Sequence, residues 1–282
     1  MRHMKHQTPL LVLLAMIAFA ANSLLCRMAL KNTLIDAGTF TTIRLVSGAL
    51  ALWLIVWYRN GVRLPKGSWL SALALSAYAA GFSYAYVALP AATGALVLFS
   101  AVQLTMIGHG LYAGERLRAL QWVGFVMAFG GLLALLAPGL EAPPLGSSAL
   151  MLGAGIAWGI YSLRGKRLGP PTLATAGNFL RSVPFALVLL LLMPEQMAFE
   201  LNGVLLAVAS GVIASGLGYA IWYAALPHIT STRTATVQLS VPVLATLGGV
   251  ALLGEPLTLR IVLCSVAILF GIAMVIRKPR GV

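Results

Sequence analysis

The feature that most constrains this chain is that one pattern of apolar segments and short motifs occurs in it twice. Leu89-Pro90 recurs as Leu226-Pro227, and Arg44 recurs as Arg181, in both cases 137 positions later. Each copy holds five long apolar segments. Because five is an odd number, the second copy must enter a bilayer in the opposite sense to the first. The sequence therefore predicts two repeats of inverted topology, at residues 1–140 and 146–282.

Composition places these segments in a membrane. Apolar residues make up 60% of the chain and charged residues only 9%, which leaves too little polar surface for a water-soluble domain. A helix needs about 20 apolar residues to cross a bilayer. The sequence predicts ten such spans: 9–30, 37–58, 68–88, 91–112, 118–138, 147–166, 172–193, 201–225, 229–253 and 258–276. The predicted fold is an all-α integral membrane protein with ten transmembrane helices in two inverted five-helix repeats, an arrangement typical of secondary transporters.

The net charge of +13 could indicate a nucleic-acid-binding protein, but the positions of the charges argue against that class. If the N-terminus is cytoplasmic, the inside segments hold Arg2, Lys5, Arg59, Arg63, Lys66, Arg116, Arg118, Arg164, Lys166, Arg167, Arg277, Lys278 and Arg280. The outside segments then hold only Lys31 and Arg260, together with five of the six acidic residues. This is the distribution of the positive-inside rule. It predicts a multi-pass membrane protein with both termini in the cytoplasm and no nucleic-acid partner.

A proline follows the third span of each repeat, at Pro90 and Pro227. Proline cannot continue the helical hydrogen-bond ladder, so the chain must turn or kink there. We predict that both prolines act as hinges. A plain turn between two packed helices is the alternative interpretation.

Two related motifs carry a resemblance to a known family. Gly254-Glu255-Pro256-Leu257-Thr258 precedes the final apolar segment, and Gly114-Glu115-Arg116-Leu117 is its counterpart in the first repeat. With the length, the ten spans and the duplication, they resemble the EamA-type signature of the drug/metabolite transporter superfamily. Within it, the aromatic-rich spans look most similar to the bacterial aromatic amino acid exporter. The resemblance implies export of amino acids or related metabolites across the bacterial inner (plasma) membrane by alternating access.

Polar and aromatic residues near the middle of the spans are the candidates for a substrate site, because such groups at bilayer depth are costly and often functional. These candidates are Asn22, Tyr78, Tyr84, Gln103, Trp158, Tyr161, Asn178, Tyr219 and Gln238. Amides and phenols could bind the charged groups of a zwitterion, and aromatic faces could accept an apolar side chain. Each residue taken singly could instead serve helix packing or the interfacial aromatic belt.

Arginines within the spans allow two interpretations. Arg44 and Arg181 could snorkel to the nearer headgroup region, or one of them could attract the carboxylate of a substrate. We include both among the candidate substrate-binding residues. Arg27 and Arg233 lie nearer to span ends, where snorkelling is expected.

The six acidic residues avoid the predicted span interiors. This weakens the hypotheses of proton coupling through a buried carboxylate and of cationic-drug binding by one. Glu115 and Glu255 lie at span ends, where helix capping or turn formation is expected. His109, near the inner end of the fourth span, is expected to serve packing rather than proton transfer. Facilitated transport, or coupling through other groups, fits this pattern better.

Enzymatic motifs are missing from the sequence. It has no G-x-S-x-G and no phosphate-binding loop, and neither His109 nor His228 has a His partner at metal-ligand spacing. Cys26 and Cys264 both fall inside spans and predict no disulfide. We therefore predict no catalytic site, no metal and no cofactor.

The predicted function is export of aromatic or other neutral amino acids through a central cavity between the repeats. The predicted partners are this small-molecule substrate and the lipid bilayer; the oligomeric state is left open, and a monomer would suffice. Export of another metabolite or of a drug is the alternative. A multi-pass scaffold or an intramembrane enzyme is the alternative from a different class.

Overall fold

The computed structural model describes residues 2–61, 66–114, 116–139, 142–165, 171–192, 200–225 and 237–276. In these residues all regular secondary structure is helical. The helices are α1 (Arg2–Asn32), α2 (Ala37–Asn60), α3 (Trp69–Tyr86), α4 (Ala91–Tyr112), α5 (Ala119–Leu136), α6 (Leu145–Gly165), α7 (Pro171–Leu192), α8 (Leu201–Ala209, continued without a break by the π-helical Ser210–Leu217 and by Gly218–Ala225), α9 (Ser240–Leu253) and α10 (Leu259–Ile276). Each predicted span thus contains a helix.

Within the described residues, seven helices are long and apolar enough to cross a membrane, which makes the chain a multi-pass membrane protein. They are Thr8–Asn32, Ala37–Arg59, Ala91–Tyr112, Ala119–Leu136, Thr172–Leu192, Leu201–Trp222 and Leu259–Ile276. Helices α3 and α6 are rich in Gly, Ser and aromatic residues, which lower their mean hydropathy. The first part of the predicted ninth span, and with it Pro227 and Arg233, lies outside the described residues.

Helix packing follows a reciprocal pattern. Helix α3 packs against α6 and α7, and correspondingly α8 packs against α1 and α2. Helix α4 contacts α6 and α9, while α9 contacts α1 and α4. The pairs α2–α7 and α5–α10 also form extensive contacts. Replacing each helix by the one five places along the chain therefore reproduces these main contacts.

Helices α5 and α10 approach each other through glycines. A Cβ atom at Gly271 would lie 2.6 Å from the carbonyl oxygen of Gly124, and a Cβ at Gly124 would lie 2.6 Å from the carbonyl oxygen of Gly271. In a bilayer, where apolar burial adds little between helices, such small residues let backbones pack closely. The α5–α10 contact thus depends on residues that carry no side chain.

We expect Gly271→Leu to destabilise the protein, because the added side chain would collide with the α5 backbone. Overpacking of this kind costs about 1–3 kcal/mol, so the thermal unfolding temperature in detergent should fall by several degrees. Gly130→Leu on α5 is the matched control, since a Cβ there meets no atom of the described residues within 4 Å. Equal unfolding temperatures for the two variants would contradict this account of the α5–α10 contact.

Candidate functional site

A cavity, part of it open to the surroundings, lies among α1, α3, α4, α6, α8 and the residues just before α9. It therefore receives residues from both halves of the chain. The lining residues are Phe19, Asn22, Ser23, Tyr78, Phe82, Leu98, Phe99, Trp158, Ala214, Ser215, Tyr219 and Gln238. Neutral polar groups and aromatic rings dominate this surface.

The amide of Asn22 connects three helices at the cavity. Its Nδ2 donates to the Tyr78 hydroxyl at 3.2 Å, and its Oδ1 accepts from Ser210 Oγ at 2.7 Å. Ser210 begins the π-helical stretch of α8, and π-helical turns inside α-helices frequently occur at functional sites. Asn22 thus fixes α1 against α3 and α8 by polar contacts beside the cavity.

Aromatic rings from both halves form one continuous wall. The Trp158 ring centroid lies 4.8 Å from that of Tyr78 and 5.2 Å from that of Tyr219. Phe19 contacts Tyr219 in turn, with centroids 5.7 Å apart. Such rings offer apolar faces and polarised edges to a bound molecule.

Five predicted site residues line the cavity: Asn22, Tyr78, Trp158, Tyr219 and Gln238. Two more lie directly behind its wall. Tyr161 stacks on Trp158, with ring centroids 5.3 Å apart. Asn178 Nδ2 donates to the Tyr161 hydroxyl at 3.5 Å, while its Oδ1 accepts from the backbone N–H of Ser68 at 2.9 Å.

Three predicted site residues lie away from the cavity lining. The Tyr84 hydroxyl lies near the first turn of α2, where a Cβ at Gly38 would lie 3.2 Å from it. Gln103 is buried on α4, one turn beyond Phe99. Arg181 Nη1 donates to the Gly177 carbonyl oxygen at 3.0 Å, and its guanidinium lies 5.9 Å from the Trp69 ring. None of the three belongs to the described cavity lining.

Arg44 lies behind two lining residues. Its side chain is 2% exposed, so it does not snorkel. The guanidinium carbon lies 4.9 Å from the Phe82 ring centroid and 5.2 Å from that of Tyr78. Its Nε and Nη1 have no hydrogen-bond partner in the described part of the chain. Arg44 is therefore a buried cation that faces aromatic rings instead of a carboxylate.

Sequence reasoning missed several residues of the site, notably Phe82, Phe99, Ser210 and Ser215. Phe82 could have been found, because it follows Tyr78 by one helical turn and so shares its face. Ser210 and Ser215 carried no such signal, since the π-helical stretch changes which side chains of α8 face inward. The predicted hinge Pro90 is the N-cap of α4 and accepts a backbone hydrogen bond from Gly94. Pro227 lies outside the described residues.

One end of the bundle is closed by a polar cluster around Arg27 and Glu255. Arg27 Nε donates to Glu255 Oε1 at 3.0 Å, and Arg27 Nη1 donates to the Tyr86 and Val87 carbonyl oxygens, each at 2.9 Å. Glu255 Oε2 accepts from the backbone N–H of Ala91, at the start of α4, at 2.7 Å. The expected capping role of Glu255 is thus confirmed. Arg27, for which snorkelling was expected, is bound by this ion pair and by carbonyl oxygens at the end of α3.

The geometry is that of a multi-pass helical membrane protein with a polar and aromatic cavity shared by both halves. The sequence model of the EamA-like transporter family matches residues 7–137 and again residues 146–277. The chain belongs to the EamA-like transporter family, as its duplicated spans and Gly-Glu motifs predicted. It is accordingly a membrane transporter with a small-molecule substrate, and not an enzyme.

Several known proteins are similar to this chain. An uncharacterized protein of Pseudomonas aeruginosa is 54% identical over 98% of this chain and 96% of its own length. The threonine/homoserine exporter RhtA of Escherichia coli is 28% identical over 80% of this chain and 77% of its own. A probable amino-acid metabolite efflux pump of Salmonella typhimurium is 28% identical over 60% and 62%. A solved crystal structure has the same fold, with a TM-score of 0.68. The match covers 95% of this chain and 96% of the solved chain, and the two sequences are 17% identical.

The Arg27–Glu255 pair should show strong energetic coupling. Arg27→Met leaves a buried carboxylate without its cation, which costs about 3–5 kcal/mol. The double variant Arg27→Met/Glu255→Gln removes that charge and keeps an acceptor for Ala91, so it should be more stable than Arg27→Met alone. The free energy of unfolding in detergent would be measured for Arg27→Met, Glu255→Gln and the double variant. The exposed Arg59→Met is the control, and its free energy of unfolding should change little. A double variant as unstable as the sum of the two single variants would contradict the coupling.

Proposed function

We propose that the protein is a secondary transporter that exports neutral amino acids or closely related metabolites through the central cavity. The observation that carries this proposal is the composition of the cavity wall. Asn22, Tyr78 and Phe82 from the first half face Trp158, Tyr219 and Gln238 from the second. Amide and phenol groups suit the ammonium and carboxylate of a zwitterion, and the aromatic rings suit an apolar side chain.

Two relatives support an amino acid as the substrate. One is named a threonine/homoserine exporter and the other a probable amino-acid metabolite efflux pump, and each of these proteins is 28% identical to this chain. The aromatic wall around Trp158 favours side chains with apolar surface. The narrower resemblance to the aromatic amino acid exporter stays a prediction. A cationic drug is disfavoured, because no Asp or Glu belongs to the described cavity lining.

We propose further that the chain forms ten transmembrane helices in two inverted repeats, residues 1–140 and 146–282. The reciprocal packing of helices five places apart supports this arrangement, as does the separate match of the family model to each half. Inverted repeats place one site near the midplane and let the halves rock around it. A monomer would suffice for this mechanism.

Alternating access requires contacts between the two halves that close the cavity at one end of the bundle and that break when this end opens. The Arg27–Glu255 cluster has that position, because it joins α1, α3 and α4 of the first half to the α9–α10 turn of the second. The charge distribution predicts that this end faces the outside of the bacterial inner membrane, with both termini in the cytoplasm. The conformation described is then closed toward the outside.

Counterflow in proteoliposomes tests the proposed function. Purified protein would be reconstituted with unlabelled amino acid inside and labelled L-phenylalanine or L-threonine outside, with and without a pH gradient. We expect exchange that does not depend on the gradient, since no acid lines the described cavity. Exchange that requires the gradient would overturn facilitated transport, and no exchange with any amino acid would overturn the proposed substrate class.

Substitutions in the aromatic wall should reduce transport without unfolding the protein. Trp158→Ala removes a ring that contacts Tyr78 and Tyr219, and we expect counterflow to fall at least about tenfold for a loss of roughly 1.5 kcal/mol of binding. Tyr78→Ala should act similarly. Trp122→Ala is the control, because Trp122 lies on α5, away from the cavity, and is 47% exposed. Normal flux in both cavity variants, with folded protein, would refute the assignment of the cavity.

A further inference from the structure

We propose that Arg44 binds the carboxylate of the transported molecule, so that a free carboxylate is a requirement for transport. The proposal rests on the proposed function, because it assigns a substrate group to the same cavity. It also distinguishes Arg44 from its counterpart Arg181, which the duplicated sequence alone does not do.

The first observation is that the Arg44 cation is buried without an anion. The ion pair formed in the described part of the chain joins Arg27 and Glu255 and does not include Arg44. Arg44 is 2% exposed, and its Nε and Nη1 lack hydrogen-bond partners among the described residues. A buried charge without compensation is expensive, and an ionisable residue at bilayer depth is a functional candidate by default. An arriving anion would supply the missing partner.

The second observation is the position of the guanidinium next to the cavity. Its two nearest rings, those of Phe82 and Tyr78, both line the cavity, and Arg44 lies behind them at 4.9 and 5.2 Å. The rings neutralise part of the charge through cation–π contact while the site is empty. A shift of these two side chains would expose the guanidinium to a bound molecule. Its planar fork of N–H groups matches the two oxygens of a carboxylate.

The third observation is the chemistry around the rest of the cavity. Asn22, Ser215 and Gln238 line it, and their side chains carry neutral amide and hydroxyl groups. These can accept hydrogen bonds from an ammonium group without adding a second charge. With Arg44 on one side of the wall, the site therefore has separate partners for the two charged ends of a zwitterion.

Arg181 lacks these properties. It donates to the Gly177 carbonyl oxygen at 3.0 Å, and its guanidinium lies 5.9 Å from Trp69, near the start of α3. Neither Gly177 nor Trp69 lines the cavity. Arg181 is thus engaged by helix packing, and it provides the matched control for Arg44.

The test compares amino acids with their carboxamides. L-phenylalanine, L-threonine, L-phenylalaninamide and L-threoninamide would compete for counterflow by purified wild-type, Arg44→Gln, Arg44→Lys and Arg181→Gln proteins. In the wild type we expect the amino acid to compete about 30-fold more strongly than its amide, since truncating one partner of a buried charge pair has an effect of this size. Arg44→Gln should remove the preference, Arg44→Lys should keep it at lower affinity, and Arg181→Gln should leave it unchanged.

Thermal unfolding of Arg44→Met in detergent separates a binding role from a structural one. Replacing an unpaired buried charge by an apolar side chain should leave the unfolding temperature unchanged or raise it. Amino acids should stabilise the wild type against unfolding but not this variant. If Arg44 serves only packing, the unfolding temperature falls.

The outcomes separate the two proposals. Wild-type protein that binds no amino acid overturns both the proposed function and the role of Arg44. Wild-type exchange without preference for the carboxylate, or a preference that persists in Arg44→Gln, overturns the role of Arg44 and leaves the transport function intact. Loss of the preference in Arg44→Gln alone supports the proposal.

Discussion

The structure depends on the constraint that a polar group at bilayer depth must find its partner inside the protein. Asn22 meets it by bonding to Tyr78 and Ser210, so three helices are positioned by one amide. Arg27 meets it with Glu255 and the carbonyl oxygens at the end of α3. Arg44 is the exception among these groups, because aromatic rings are its main neighbours. Arg44 lies behind the wall of the cavity that we propose binds the substrate.

Two kinds of contact between the halves imply different mechanical roles. Helices α5 and α10 meet backbone to backbone at Gly124 and Gly271, a contact that any separation would lose entirely. The Arg27–Glu255 cluster instead consists of a few directional bonds at one end. Water and headgroups can replace such bonds when that end opens. The glycine contact is therefore suited to stay in place during transport, and the polar cluster to break and reform.

Sequence reasoning could predict the helices because their signal is local. The predicted spans 37–58 and 91–112 are close to the helices Ala37–Asn60 and Ala91–Tyr112. An apolar run of bilayer length forms a transmembrane helix because few other structures can accommodate it. The same reasoning placed Asn22, Tyr78 and Trp158 at mid-membrane depth, and all three line the cavity. The depth of a residue in the bilayer follows from its position along the helix, and that position can be read from the sequence.

Rotation about the helix axis and pairing across the chain do not follow from local sequence. Tyr84 is about one and two-thirds turns beyond Tyr78 and therefore faces α2 rather than the cavity. The π-helical stretch Ser210–Leu217 moves Ser215 to the cavity wall without any preceding motif. Arg27 and Glu255 are 228 positions apart, so only the packed structure could identify them as partners.

The central claim is that this cavity lies on a path open alternately to both sides of the membrane, and thiol labelling at Ser215 tests it most directly. Ser215→Cys would be made in a chain whose buried Cys26 and Cys264 are replaced by alanine. A membrane-impermeant thiol reagent would then be applied to intact cells and to inside-out vesicles. The account predicts labelling from both sides and protection by the transported amino acid. Labelling from one side only, or labelling that the amino acid leaves unchanged, would contradict it.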